Sequence, residues 1–383
     1  MKRIWQHVGE ATSVDLNPSR SPARRLRRLI RWLRARGKAG FRQSDTDRLI
    51  REISTLAEQG DWHQATSSAI RWAERAEQSD DRALLERVGN DFRRLRRFEQ
   101  SFALLTHCKR RMGQKEWNGS DPMGKCLLIE RRDGDLATFF IFLSTIDLGI
   151  ARGIRCIVLV EDRLIPLFKR TFPQVDIRSE TLERATSLAD ADFVTSFEAV
   201  AHFLGWDGNQ RRKLIPDPDE VTTLRRSYAA SSDKPLVGIA WGSVNINKDA
   251  PGIQDWLQFL DRVPVRYVNL QYGDVAATVR RIERDSCHRI LNDPSVNQLI
   301  DMDRFASQVS CLSAVITISN TVAHVAGALG VPTFVLLDGQ FKRSWPGFGS
   351  DVPWYESVHL SRRNNSGWDD AFNETEKWLS AVI

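Results

Sequence analysis

From Lys125 onward the chain alternates short apolar runs with helical stretches, and it does so twice. The first series is "CLLIE" (126–130), a helical stretch from Asp135, "IRCIVLVE", "RLIPLFKRTF", "VDIRS" and "DFVTS". The second is "LVGIAWG", a helix near 253–262, "VRYVNLQ", a helix near 274–284, "AVITIS", a helix from Thr321 and "TFVLLDG". Apolar strands alternating with helices form a parallel sheet covered by helices. Between the two series, residues 214–235 are rich in Pro, Asp and Ser around one helix and read as an interdomain connection. The expected fold class is therefore α/β, with two open, facing Rossmann-like domains.

The preceding residues have a different rhythm. Residues 45–112 carry apolar positions at three-and-four spacing with few β-branched residues, which predicts paired helices. Asp61-Trp62-His63 and Arg97-Phe98-Glu99 echo each other about 36 residues apart, close to the spacing of a tetratricopeptide repeat. Two degenerate copies make a short module, either packed on the next domain or binding a peptide. Between Asp15 and Asp45 stand ten basic residues and no acidic one. Pro22 can open a helix there and Gly37 close it, with Leu26, Leu29, Ile30 and Leu33 on one face. Such a basic amphipathic helix over 22–37 lies on an anionic membrane surface, docks on its own protein, or belongs to a disordered leader.

The resulting division is a basic leader (1–44), a helical module (45–116), a first Rossmann-like domain (117–213), a linker (214–235) and a second Rossmann-like domain (236–383). A net charge of +6 over 383 residues favours an anionic ligand or surface but is too sparse for a dedicated nucleic-acid binder, so no nucleic-acid partner is expected. Five scattered cysteines without metal-ligand spacing fit a reducing compartment. With no secretory signal and no run of about 18 apolar residues, the expectation is a cytoplasmic chain, peripheral at the inner membrane face if the basic helix engages lipid.

Two kinds of motif are set aside. "GSDPMGKC" (119–126) nearly matches a phosphate loop, but it ends in Cys126 and precedes its strand where a true loop follows one. Asp45/Asp47, Asp190/Asp192, Asp217/Asp219 and Asp301/Asp303 have the spacing of a metal-bridged diphosphate site, yet such pairs arise readily in a chain with 49 acidic residues, Asp217 and Asp219 fall in the linker, and helix capping explains Asp301 and Asp303. No metal and no cofactor is expected.

Three strand-to-helix turns remain as candidates. In "RRDGDLATFF" (131–140), Gly134 permits a tight turn beside Asp133. Asp135, at a helix start on the carboxyl edge of the sheet, is either an N-cap or a general base. In "ISNTVAHVAGALG", Ser319, Asn320 and Thr321 form a turn before a helix whose free N–H groups suit an anion, and His324 lies about one turn in. The small residues Ala323, Ala326, Gly327 and Ala328 allow that helix to approach the sheet closely. "AWGSVNINKDAP" (240–251) places Gly242, Ser243 and Lys248 after another strand of the same domain, where they can converge on the same ligand. Together these describe a nucleotide-diphosphate site.

From about Trp117 to Trp378 the sequence resembles the heptosyltransferase-like glycosyltransferases, family 9, in particular the branch with tetratricopeptide-type helices before a GT-B fold. The resemblance rests on "WNGSDPMGKCLLIERRDGDLATFF", "VGIAWGSVNINKDAP", "VRYVNLQYGD", "ISNTVAHVAGALGVPTFVLL" and "SWPGFGSDVPWYESVHLSRR" in that order. It implies metal-independent, inverting transfer from a nucleotide-diphosphate sugar held by the second domain. The acceptor, held by the first, is a glycan, lipid-linked or protein molecule, as in bacterial lipopolysaccharide or capsule synthesis or protein glycosylation. By position, Asp135 becomes the general base, and Ser243 and Lys248 contact the diphosphate. Ser319, Asn320, Thr321 and His324 become the phosphate-binding turn, Gly134 and Asp133 face the acceptor, and Trp354 and Tyr355 serve in packing. Two departures, Ser319 where the family usually has Asp and Asp133 where glycine is common, leave the alternative of a catalytically degenerate binding or scaffold protein.

Overall fold

The computed structural model describes residues 48, 51–53, 55–56, 59–78, 82–111, 115–132, 136–209, 213–229, 234–243, 250–286, 288–338, 344–347, 349–364 and 367–383. The basic stretch at 22–37, Asp133, Gly134, Asp135 and Lys248 lie outside these residues. Among the described residues, no helix is long and apolar enough to cross a membrane.

After helical residues at 51–53 and 55–56, the helices whose full bounds are described begin with α1 (Trp62–Gln78), α2 (Arg82–Arg94) and α3 (Phe98–Lys109). In α2, Leu84, Leu85, Val88 and Phe92 recur at helical spacing and bury one face against α1 and α3. On α3, Phe102 stacks at 5.6 Å on Trp206 and meets Phe142 edge-on at 5.6 Å. The helical module thus shares a core with the first α/β domain.

That domain runs β1 (Cys126–Glu130), α4 (Ala137–Ile141), α5 (Leu143–Ala151), β2 (Arg155–Val160), α6 (Ile165–Thr171), β3 (Asp176–Ser179), α7 (Arg184–Asp190), β4 (Phe193–Ser196) and α8 (Phe197–Phe203). Its four strands are all parallel, in the order β3-β2-β1-β4. The helix α9 (Pro218–Ala229) then leads into β5 (Leu236–Ala240), α10 (Ile253–Leu260), β6 (Arg266–Asn269), α11 (Ala276–Asp285), β7 (Ile290–Leu291), α12 (Met302–Val309), β8 (Ala314–Ile318), α13 (Thr321–Leu329), β9 (Thr333–Leu337), β10 (Val358–Arg362) and α14 (Asp369–Val382). The second sheet is also wholly parallel, in the order β10-β9-β8-β5-β6-β7. Strands β1, β8 and β9 are buried along their whole length, as sheets covered on both faces require.

In both sheets the strand order reverses between two neighbours, β1 and β4 in the first, β5 and β8 in the second. Ligands of open α/β sheets bind in the crevice that this reversal opens at the carboxyl ends of the strands. The segment after β1 and the turns after β5 and β8 all start at these reversals.

The two domains pack directly on each other. Helix α4 lies on α13, and α6 on α12. Arg170 on α6 forks onto the Asp303 carboxylate at 2.6 and 2.8 Å. The Leu214 N–H reaches the Ala328 carbonyl at 2.9 Å, and Arg163 reaches the Gln298 carbonyl at 2.9 Å.

The small residues of α13 do what their size permits, since Ala323, Ala326 and Ala328 are fully buried. A Cβ at Gly327 would lie 2.6 Å from the Tyr355 ring and 2.9 Å from Val358. Gly327→Ala is accordingly expected to destabilise the fold by about 1–3 kcal/mol through overpacking. Urea denaturation checks this, and an unchanged midpoint would show that the Tyr355 loop yields freely.

Candidate functional site

The turns after β5 and β8 are tied together by one side chain. Asn320 caps α13, its Oδ1 accepting from the Ala323 N–H at 3.3 Å and from the Thr317 hydroxyl at 3.1 Å. Its Nδ2 donates across to the Gly242 carbonyl at 3.2 Å. The Gly242 N–H donates in turn to Gln271 Oε1 at 2.7 Å, which brings in the segment after β6. Three adjacent strand ends are thereby held in one arrangement, with half-buried Gly242, Ser243 and Thr321 at its surface. The α13 N-terminus beside them offers backbone N–H groups and the positive end of a helix dipole to an anion.

Ser319 and His324 take a different place from their neighbours. The Ser319 hydroxyl accepts the Trp345 indole N–H at 2.8 Å. His324, 3% exposed, stacks on the Trp345 ring at 4.5 Å with an interplanar angle of 10°, and its Nδ1 lies 3.2 Å from the Tyr355 hydroxyl. The rings of Trp345 and Tyr355 therefore back the turn. Trp354 and Tyr355 are buried, as packing residues should be.

Sequence reading missed a polar cavity beside these turns. It has a volume of about 270 Å³ and lies past the ends of β6 and β7, lined by Asn269, Gln271, Tyr272, Asn292 and Gln298 among others. Its amides hold one another, with Asn269 Nδ2 on Asn292 Oδ1 at 2.8 Å, the Gln271 N–H on Asn269 Oδ1 at 2.9 Å, and Gln298 Nε2 on the Leu270 carbonyl at 2.8 Å. At its rear, Tyr228 donates to Asp293 at 2.8 Å and accepts from Gln308 at 2.9 Å. Burial, reinforced by the Asp293 carboxylate, pushes the Tyr228 phenol above its ordinary range. Burial opposes ionisation of Asp293, but the Ser295 and Tyr228 hydroxyls outweigh it and hold that carboxyl low. The one available signal was the run of amides closing "VNLQ", which has no periodicity to mark it.

In the first domain, Asp133, Gly134 and Asp135 fall outside the described residues, but both flanks are firmly placed. Arg132 forks onto Glu116 at 2.6 and 2.8 Å and reaches Glu130 at 3.1 Å, almost wholly buried. Arg131 bridges Glu161 and Glu180 at 2.9 and 3.0 Å, its guanidinium 4.8 Å from the centre of the Phe139 ring. Burial raises the Glu180 carboxyl, partly offset by Arg131. On the other flank, α4 rests on α13.

Asp45 and Asp47 lie outside the described residues, and the other motifs set aside have structural roles. Lys125 and Cys126 stand at the amino end of β1, the edge opposite the turns, where Asp192 accepts the Cys126 N–H at 2.8 Å. Asp190 pairs with Arg178. Asp217 and Asp301 accept N–H bonds in the first turns of α9 and α12. Asp303 holds Arg170.

No family model matches the chain. Over 67% of this chain and 98% of the other, the structure superposes on the E. coli ADP-heptose lipopolysaccharide heptosyltransferase II with a TM-score of 0.50 at 13% identity. The fold is that of a heptosyltransferase. A second structure, a glycosyl transferase family 9 protein from Veillonella parvula, superposes with a TM-score of 0.47 at 12% identity over 66% of this chain and 91% of that one. Among curated proteins, the chain is 28% identical over 264 residues to Protein FlbA of Caulobacter vibrioides, 63% of this chain and 44% of that protein. The match thus spans under half of that relative. In the heptosyltransferase fold, the two facing Rossmann-like domains are the ones expected from the sequence, and the turns after β5 and β8 lie at the strand-order reversal of the second.

Proposed function

We propose that this chain is an inverting glycosyltransferase that uses a nucleotide-diphosphate sugar without a metal ion. Its acceptor belongs to bacterial surface polysaccharide, lipopolysaccharide or capsule, or to a glycosylated protein. The observation that carries the reading is the Asn320 to Gly242 bond, which fixes two strand-end turns at a reversal point beside a helix N-terminus. The diphosphate lies against the N–H groups of α13, with Gly242, Ser243 and Thr321 around it and Lys248 adding a positive charge. The amide-lined cavity past β6 and β7 takes the nucleoside.

Chemistry occurs at the carboxyl end of β1, at the strand-order reversal of the first sheet. Asp135 takes the proton of the acceptor hydroxyl as its oxygen attacks the anomeric carbon. The bond from that carbon to the β-phosphate oxygen breaks, the electron pair leaves with the nucleoside diphosphate, and the configuration inverts. Charge grows on the leaving phosphate, and the α13 N–H groups and the positive charge of Lys248 stabilise it.

Lys248→Ala tests the donor half of this reading. Losing a charge-assisted bond costs about 1.5–3 kcal/mol, so nucleoside-diphosphate affinity by calorimetry is expected to fall roughly tenfold to a hundredfold. An unchanged affinity would remove Lys248 from the site.

A further inference from the structure

Trp345, one of the two aromatic residues backing the donor-side turn, is itself held from the helical module. Arg96, between α2 and α3, has φ of +58°, a left-handed conformation in which a residue with a side chain is strained. Its guanidinium donates to the Pro346 carbonyl at 3.3 and 3.4 Å, to Asp351 Oδ2 at 2.8 Å and to the Asp351 carbonyl at 3.0 Å. The Gly347 N–H donates back to the Arg94 carbonyl at 2.8 Å. Gly347 has φ of +80°, and a Cβ there would lie 2.8 Å from Arg96 Nε, so the contact needs both glycine's conformation and its size. From the second sheet, Arg362 donates to the carbonyls of Trp345 and Gly347 at 3.2 and 2.7 Å. Trp345, fully buried, is thereby fixed with its indole N–H on Ser319 and its ring on His324.

We propose that Arg96 is a positioning residue for the donor site. By pinning Pro346, Gly347 and Asp351 it holds Trp345 against Ser319 and His324, so the helical module sets the shape of the turn that receives the diphosphate. This rests on the donor-site reading above. It also gives Ser319 a role as the acceptor that registers Trp345 on the turn.

Arg96→Gly is the informative variant, because glycine adopts a positive φ without strain and the turn between α2 and α3 keeps its backbone while the guanidinium is lost. Far-UV circular dichroism is expected to be unchanged. With ADP, GDP and UDP as probes, Arg96→Gly and Trp345→Phe should each weaken the best-bound nucleotide about tenfold, and the double variant should be no weaker than the worse single one, since both break the same linkage. Unchanged affinity in Arg96→Gly, or losses that multiply to about a hundredfold, would overturn the proposal. A second cycle needs no ligand. The near-UV difference spectrum between the native chain and Trp345→Phe should shrink when taken in the Arg96→Gly background, and an identical difference in both backgrounds would show that Arg96 does not hold Trp345. If the native chain binds none of these three nucleotides, nor CDP or dTDP, the donor-site reading fails, and the spectroscopic cycle still decides the linkage.

Discussion

Asp135→Asn is expected to lower turnover by at least about a hundredfold while leaving nucleotide affinity nearly intact. The amide keeps the size and the capping ability of the carboxylate but cannot accept the acceptor's proton at neutral pH. A residue that only caps a helix would tolerate the change, because asparagine caps as well as aspartate does. The variant therefore separates the two meanings a carboxylate at that position can have. It also weighs the alternative of a catalytically degenerate scaffold, on which a native chain without turnover would leave nothing for the substitution to remove. Steady-state rates with a saturating donor, beside calorimetric nucleotide affinity, give both quantities.

The largest expected effect on stability lies where the helical module joins the first domain. Lys109, at the end of α3, meets Glu198 in the first turn of α8 at 2.6 Å, with side chains 7% and 1% exposed. Lys109→Met removes the ammonium hydrogen-bonded to this buried carboxylate and leaves Arg93 as its remaining positive neighbour, and the expected cost is about 3–5 kcal/mol. Adding Glu198→Leu should recover part of that loss, since it removes the buried carboxylate that Lys109 compensated, while Arg93 loses the same charge. Urea unfolding of the single and double variants reads both values, and a single variant as stable as the native chain would mean that Glu198 is protonated or solvated.

The same pair predicts a pH dependence. Burial pushes the Glu198 carboxyl up, but Lys109 and Arg93 together outweigh it and hold it below the ordinary glutamate value. A carboxyl depressed in the folded chain stabilises it above its unfolded value, roughly 4.3, and that stability is lost as pH falls through the lower folded value. Glu198→Gln should accordingly flatten the acid limb of stability below about pH 4.3.

Both sheets were legible in the sequence because they are wholly parallel and covered on both faces, which leaves strands as unbroken apolar runs such as those of β1, β8 and β9. The helix expected from Asp135 is in fact two, α4 and α5, broken at Phe142. Its apolar residues continue across the break, so periodicity alone could not mark it. The two-residue strand β7 was too short to register. The strand-to-helix turns could be read because Asn320 is a local cap, its partner Ala323 only three residues away. The partners of Ser319 and His324 could not, since Trp345 and Tyr355 lie 26 and 31 residues further on and meet them only through the fold. Arg96 was more hidden still, since nothing local announces a left-handed arginine whose contacts are 250 residues away.

The central claim is that the second domain binds a nucleotide-diphosphate sugar, and a thermal-shift panel of nucleotide sugars in the presence of a chelator tests it most directly. A donor at about a hundred times its Kd contributes roughly 2.7 kcal/mol, which should raise the midpoint by about 3 °C. The account predicts such a shift for at least one nucleotide sugar and a smaller one in Lys248→Ala. A midpoint that no nucleotide sugar or nucleoside diphosphate moves would contradict it, and a shift seen only after divalent metal is restored would overturn its metal-free part.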